Sequence, residues 1–209
     1  MSRLLVASRN AKKLDELHRI LVTIDLGDVE LLSLADVPAY EEVPETGATF
    51  EDNALLKARE GARHTGLVTV ADDSGLAVDA LNGMPGVLSA RWSGGHGDDA
   101  ANLALLLGQI RDIPAERRGA AFVCAAALVT PDGAEDVVLG RVAGTLTTEP
   151  RGEQGFGYDP IFVPTGHSRT TAEMPAAEKD QLSHRGRALR ALAGPLTKAL
   201  ATSREHTDR

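Results

Sequence analysis

The pair Asp72 and Asp73, in "ADDSG" at 71–75, interrupts a stretch that otherwise reads as buried, with "LVTV" before it and "LAV" after it. Two carboxylates this close in a partly buried turn repel each other, so one holds a proton or a cation balances both. Magnesium is the economical cation, because oxygen-only ligands and phosphate substrates are its usual company. The plainer alternative is a turn in which both aspartates cap backbone N–H groups.

Further groups of the same chemical character lie on either side. "ETGATFEDNALLKA", 45–58, supplies Glu45 in a Pro/Gly loop and then Asp52, Asn53 and Lys57 around a helix start. Thr49 and Asp52 have capping-box spacing, which explains Asp52 without a catalytic role. Lys57 sits one turn inside the helix, within reach of a phosphate. "VASRNAKKLDEL", 6–17, breaks an apolar strand into Ser8, Arg9, Asn10, Ala11, Lys12 and Lys13 just where a helix begins. Backbone N–H groups at such a helix start point at one spot, which suits an anion, and two lysines make it suit a polyphosphate. "GFGYDP", 155–160, places Phe156 and Tyr158 in a glycine loop where a ring can stack on a base, and Asp159 can accept from a ring N–H. "SHRG", 183–186, offers the His184 imidazole and the Arg185 guanidinium together at a helix start. "GGHGDD", 94–99, has the look of a metal loop, but an Asp N-cap explains it more simply.

Periodicity and punctuation indicate the elements that carry these residues. A strand at 4–7 leads to a helix at 12–23 with Leu14, Leu17 and Leu21 on one face, and a second strand follows at 29–34. A helix runs from Phe50 to a stop at Gly66. "LVTVADDSGLAV" reads as strand, acidic turn, strand. A helix covers 97–113, and "RGAAFVCAAALVTPDGAEDVVLGRVAGTLTTEP" reads as two long strands joined at "TPDG", an extended antiparallel arm. A short strand after the glycine loop and a final helix opened by Ser183 complete the order. This is a mixed α/β sheet flanked by helices, not a doubly wound parallel one. It forms one domain over 1–201, with a polar, frayed tail at 202–209.

Composition narrows the class. The 209 residues are 43% hydrophobic but only 3% aromatic, so aliphatic side chains and alanine fill the core. A net charge of −8 without a basic stripe argues against polymeric nucleic acid as a partner. The single cysteine, Cys124, lies in an apolar run and reads as a buried structural thiol. With neither a signal region nor a run long enough to span a membrane, the sequence points to a cytoplasmic address.

Taken in order, "ASRNAKK", "ETGATFEDNALLKA", "ADDSGL", "GFGYDP" and "LSHRG" resemble the motif set of the inosine triphosphate pyrophosphatase family over about Leu4 to Leu200. The resemblance implies a two-lobed α/β fold with a long central sheet and a substrate cleft between the lobes. It also implies hydrolysis of inosine, xanthosine and related deoxynucleoside triphosphates to monophosphate and pyrophosphate, with magnesium, by a homodimer. Ser8 to Lys13 and Lys57 would hold the triphosphate, Asn10 and Lys13 most strongly, with no separate role for Lys12. Glu45 and Asp73 resemble the metal ligands; Asp73 also resembles the proton acceptor, and Ser74 a substrate contact. Phe156, Gly157, Tyr158, Asp159, Lys179, His184 and Arg185 resemble the nucleoside-binding wall. Arg9 departs from the pattern, which commonly has glycine there. The septum-formation-protein group of nucleotide pyrophosphatases and a non-catalytic nucleotide sensor are the alternatives. The "SHR" and "FGYD" sets weigh against the first, and Glu45 with Asp73 against the second.

Overall fold

The computed structural model describes residues 1–41 and 43–207. In chain order the elements are β1 (Ser2–Val6), α1 (Ala11–Val22), β2 (Val29–Ser33), α2 (Phe50–Thr65), β3 (Val68–Val78), α3 (Asp99–Gln109), β4 (Gly119–Val129), β5 (Glu135–Leu146), β6 (Phe162–Pro164), α4 (Ala176–Leu182) and α5 (His184–Thr207). The sheet has strand order β2-β1-β3-β4-β5-β6. Its β1 is parallel to β2 and β3, whereas β5 is antiparallel to β6, so the sheet is mixed. The chain divides into two compact units: residues 1–73, 124–140 and from Arg185 onward form one, and 74–123 with 141–184 form the other.

Successive side chains of a strand point to opposite faces, and the first unit uses that alternation to build two cores. Leu4 and Val6 of β1, Val68 and Val70 of β3, and Cys124, Ala126 and Leu128 of β4 pack with Leu17, Ile20 and Leu21 of α1 and with Leu189, Leu192, Leu196 and Leu200 of α5. Leu5, Ala7, Ala71, Ala125 and Ala127 face the other way and pack with Ala54, Ala58 and Ala62 of α2. Alanine at every fourth position lets α2 lie close to the sheet. A Cβ on Gly61 would come within 2.7 Å of Thr69 Cγ2. In the second unit, Leu76, Val78, Leu106, Ile110, Phe122, Tyr158, Ile161 and Phe162 form one cluster.

Local chemistry sets the helix ends. Asn10 caps α1, its Oδ1 accepting from Lys13 N at 3.1 Å. Thr49 and Asp52 form a complete capping box on α2, and Gly66, at φ 66°, ends it in the left-handed region that glycine enters most cheaply. Asp98 caps α3, so the "GGHGDD" aspartates belong to a helix start.

The two long strands expected on either side of "TPDG" are present as neighbours, β4 lying between β3 and β5 and buried along nearly its whole length. Two expectations need correction. Residues 68–78 are one continuous strand, with no acidic turn. Second, α5 continues to Thr207, because extending an anchored helix adds one hydrogen bond per residue fixed. Glu42, Asp208 and Arg209 lie outside the described residues. No described helix is long and apolar enough to cross a membrane.

Candidate active site

Because β3 is continuous, Asp72 and Asp73 point to opposite faces of the sheet and do not share one site. Asp72 joins the face packed by α1 and α5. Its Oδ2 accepts from Arg185 Nε at 3.0 Å, and Arg185 Nη1 pairs with Glu16 of α1. All three residues are buried. Burial opposes the charge on Asp72, but Arg185, Lys13 and Lys57 outweigh it and hold the carboxyl well below its usual range. Arg185 itself is pushed up: burial works against it, and Glu16 and Asp72 prevail. The Cys124 thiol, 3.8 Å from Asp72 Oδ2, is raised first by burial and then by that carboxylate, as befits an inert structural cysteine.

Asp73 faces α2 and is 4% exposed. Asn53 Nδ2 donates to its Oδ2 at 3.0 Å, while Lys57 Nζ lies 3.7 Å and Lys13 Nζ 3.8 Å from its Oδ1. Lys57 Nζ also donates to Glu45 Oε1 at 2.7 Å. One ammonium therefore meets both carboxylates expected to hold metal. Burial raises the Asp73 pKa above its ordinary value; Lys57 and Lys13 pull it down, and Glu45 adds to the rise. Lys57 is also shifted up, burial being overcome by Asp73, Asp72 and Glu45. A buried carboxylate with a raised pKa, ringed by lysines and a second carboxylate, has the makings of a proton acceptor beside polyanion-binding charge.

Sequence reading missed the part played by Asn53. It is fully buried, and its Oδ1 accepts from Gly47 N at 2.8 Å while its amide holds Asp73. Its signal was present: Asn53 and Lys57 are four apart, on one helix face. The loop before α1 is also more committed than expected. Ser8 N donates to the Val6 carbonyl, and Asn10 Oδ1 is used as the cap. Arg9 Nη2 donates to the Tyr40 carbonyl.

The second unit brings together Phe156, Asp159 and Lys179, and sets His184 against Phe122. Asp159 is a buried hub. Its Oδ2 accepts from Phe156 N at 2.8 Å and Lys179 Nζ at 2.6 Å, and its Oδ1 from Thr171 Oγ1 at 2.8 Å. Lys179 Nζ also sits 5.0 Å from the Phe156 ring centre. Gly155, at φ 75°, permits this turn, since a Cβ there would collide with Asp159 Oδ2. His184 stacks on Phe122 at 4.9 Å and 11°. Gly157, at φ 61°, supplies backbone freedom, and Ser74 follows Asp73 in β3.

Three residues of the expected wall are engaged within the protein. Tyr158 is a core residue whose hydroxyl donates to the Ser89 carbonyl at 3.0 Å, and burial raises its pKa. Asp159 is engaged by three protein donors, Phe156 N, Lys179 Nζ and Thr171 Oγ1. Arg185, 1% exposed, has Nε on Asp72 and Nη1 on Glu16, so these two groups brace that face of the sheet. Thr171 and Phe122 escaped notice because a hydroxyl in "RTTAEM" and a lone ring in an alanine-rich strand carry no local signature.

Residues 4–194 match the model of the Ham1 family. A curated dITP/XTP pyrophosphatase of Mycobacteroides abscessus is 70% identical over 190 residues, 91% of this chain and 92% of the relative. Among solved structures, a nucleoside-triphosphatase / dITP/XTP pyrophosphatase from Mycobacterium abscessus has 70% identity and a TM-score of 0.75, covering 91% of this chain and 98% of its own. A HAM1 protein from Coxiella burnetii has 39% identity and a TM-score of 0.82, covering 95% and 100%.

Proposed function

The chain belongs to the Ham1 family, and we propose on that footing that it hydrolyses non-standard purine nucleoside triphosphates (dITP, ITP and XTP) to the monophosphate and pyrophosphate. The activity named for its 70% identical relative supports this reading. The single observation that carries it here is the buried Asp73, met by Asn53, Lys13 and Lys57, with Glu45 on the same ammonium.

In this reading Lys13, Lys57 and the first-turn amides of α1 hold the triphosphate, whose charge they balance. Asp73 accepts the proton of the attacking water; the water oxygen bonds to phosphorus as the bond to the departing pyrophosphate breaks. Asn53 fixes the Asp73 carboxylate by one oxygen and leaves the other toward the lysines. Phe156 offers its face to the base. Lys179, a donor without acceptor capacity, favours a purine with an oxygen at position 6 over adenine with its amino group. His184, held flat by Phe122, adds a second recognition group.

Glu45 and Asp73 form an oxygen-only donor pair already gathered around one positive charge, which is the chemistry a hard divalent cation requires. Magnesium held by these two would draw charge from the phosphoanhydride. The enzyme would act as a homodimer in the cytoplasm. Incubation with dITP and magnesium, followed by measurement of pyrophosphate, tests the reading; release of inorganic phosphate alone, or of nothing, rejects it.

A further inference from the structure

The loop between β2 and α2, residues 34–49, carries Glu45 yet has no helix or strand among its described residues. Its two ends are fixed locally. At the start, Asp36 Oδ2 accepts from Ser33 N and Oγ at 2.8 and 2.6 Å; at the end, Gly47 N donates to Asn53 and the capping box closes. Near its middle stands Tyr40, five residues before Glu45. Three separate contacts converge there. Its carbonyl accepts from Arg9 Nη2 at 3.0 Å, the Arg9 guanidinium carbon lies 5.6 Å from its ring centre, and its ring stacks on His64 of α2 at 4.6 Å and 7°. His64 Nε2 is in turn 3.3 Å from Glu60 Oε2, one turn earlier on the helix.

Arg9, Tyr40 and His64 therefore clasp three segments of one unit. These are the turn that leads to Asn10 and Lys13, the loop that carries Glu45, and the helix that carries Asn53 and Lys57. We infer that Arg9 is a positioning residue that acts through Tyr40 to hold the Glu45 loop in register with Lys57 and Asp73. The inference rests on the reading of Glu45 as a ligand of the triphosphate-bound cation. A guanidinium suits the task better than an ammonium, because its flat fork donates to the carbonyl in line while its face lies against the ring. The arrangement also accounts for a charged side chain at a place where bare backbone would serve a phosphate.

The test compares Arg9→Ala, Tyr40→Leu, the double variant and Tyr40→Phe with the wild type, in two measurements. Without nucleotide or metal, amide hydrogen exchange of residues 37–46 should rise about five-fold in Arg9→Ala and in Tyr40→Leu, since an exposed hydrogen bond and a ring contact are each modest. With dITP, the magnesium concentration for half-maximal rate should rise about five-fold while kcat stays within about two-fold. The double variant should be no worse than Arg9→Ala, and Tyr40→Phe, which keeps both carbonyl and ring, should match the wild type. An Arg9→Gln variant that behaves like Arg9→Ala guards against a folding defect peculiar to one substitution. Additive effects, or a Tyr40→Leu protein indistinguishable from wild type while Arg9→Ala loses affinity for dITP, would overturn the inference and make Arg9 a direct phosphate contact. If the wild type fails to hydrolyse dITP, the functional reading falls, and the exchange measurement still decides whether the clasp exists.

Discussion

Lys57 Nζ lies 2.7 Å from Glu45 Oε1 and 3.7 Å from Asp73 Oδ1, so a single ammonium joins two carboxylates carried by a loop and a strand. A divalent cation held by the same pair would compete with that ammonium for them. Lys57→Met should accordingly strengthen binding of manganese to the nucleotide-free protein by about ten-fold, about 1.4 kcal/mol. The same change should lower kcat/KM for dITP, because a phosphate charge partner is lost. Titration of free manganese by its spin-resonance signal checks the first part, and unchanged or weaker affinity would count against metal and lysine sharing these oxygens.

The two adjacent aspartates should separate cleanly by substitution. Asp73→Asn should fold with a stability close to wild type, since its charged form is already disfavoured by burial, and should lose at least about 10²-fold in kcat. Asp72→Asn should instead cost about 3 kcal/mol in urea unfolding, because it leaves the buried Arg185 balanced by Glu16 with one carboxylate fewer. Equal stabilities with a reversed order of activity would exchange the two roles.

Thr171 holds Asp159 Oδ1, and Asp159 holds both Phe156 and Lys179. Thr171→Val keeps the side-chain shape and removes the hydroxyl, so KM for dITP should rise about five- to ten-fold with little change in kcat. Thr171→Ser should restore it. A loss confined to kcat would place Thr171 with the chemistry and not with the base.

Local signals in the sequence carry much of this architecture. The Asn10 cap, the Thr49 and Asp52 box, the Gly66 stop and the alternation in β1 all depend on neighbours within a turn, so periodicity and punctuation reveal them. The acidic pair defeats the same reasoning. Two charges in an apolar run read as a turn only while their partners are unknown, and Arg185 lies 113 residues from Asp72. Distance along the chain hides the ion pairs of Arg185 with Asp72 and with Glu16 of α1, which its place in "SHRG" does not suggest. The burial of β4 is harder to read, because its run of alanines leaves no amphipathic mark. Glu45, Lys57 and Asp73 are legible by residue type; Asn53 shares a helix face with Lys57 by spacing, but its bonds to Gly47 and Asp73 come only from the fold.

Removal of divalent ions should abolish turnover without unfolding the protein. With excess EDTA, pyrophosphate release from dITP should fall below about 1% of its value, while the far-ultraviolet circular dichroism is unchanged. Full activity in EDTA would remove Glu45 from any metal role.

The most direct test of the central claim is kcat/KM for dITP, XTP, dGTP and dATP at one magnesium concentration, with pyrophosphate and monophosphate quantified together. The account predicts one pyrophosphate per monophosphate and a preference of roughly 10²-fold or more for dITP over dATP, because an adenine amino group would face the donor Lys179. Comparable values for dITP and dATP, or stepwise release of inorganic phosphate in place of pyrophosphate, would contradict it.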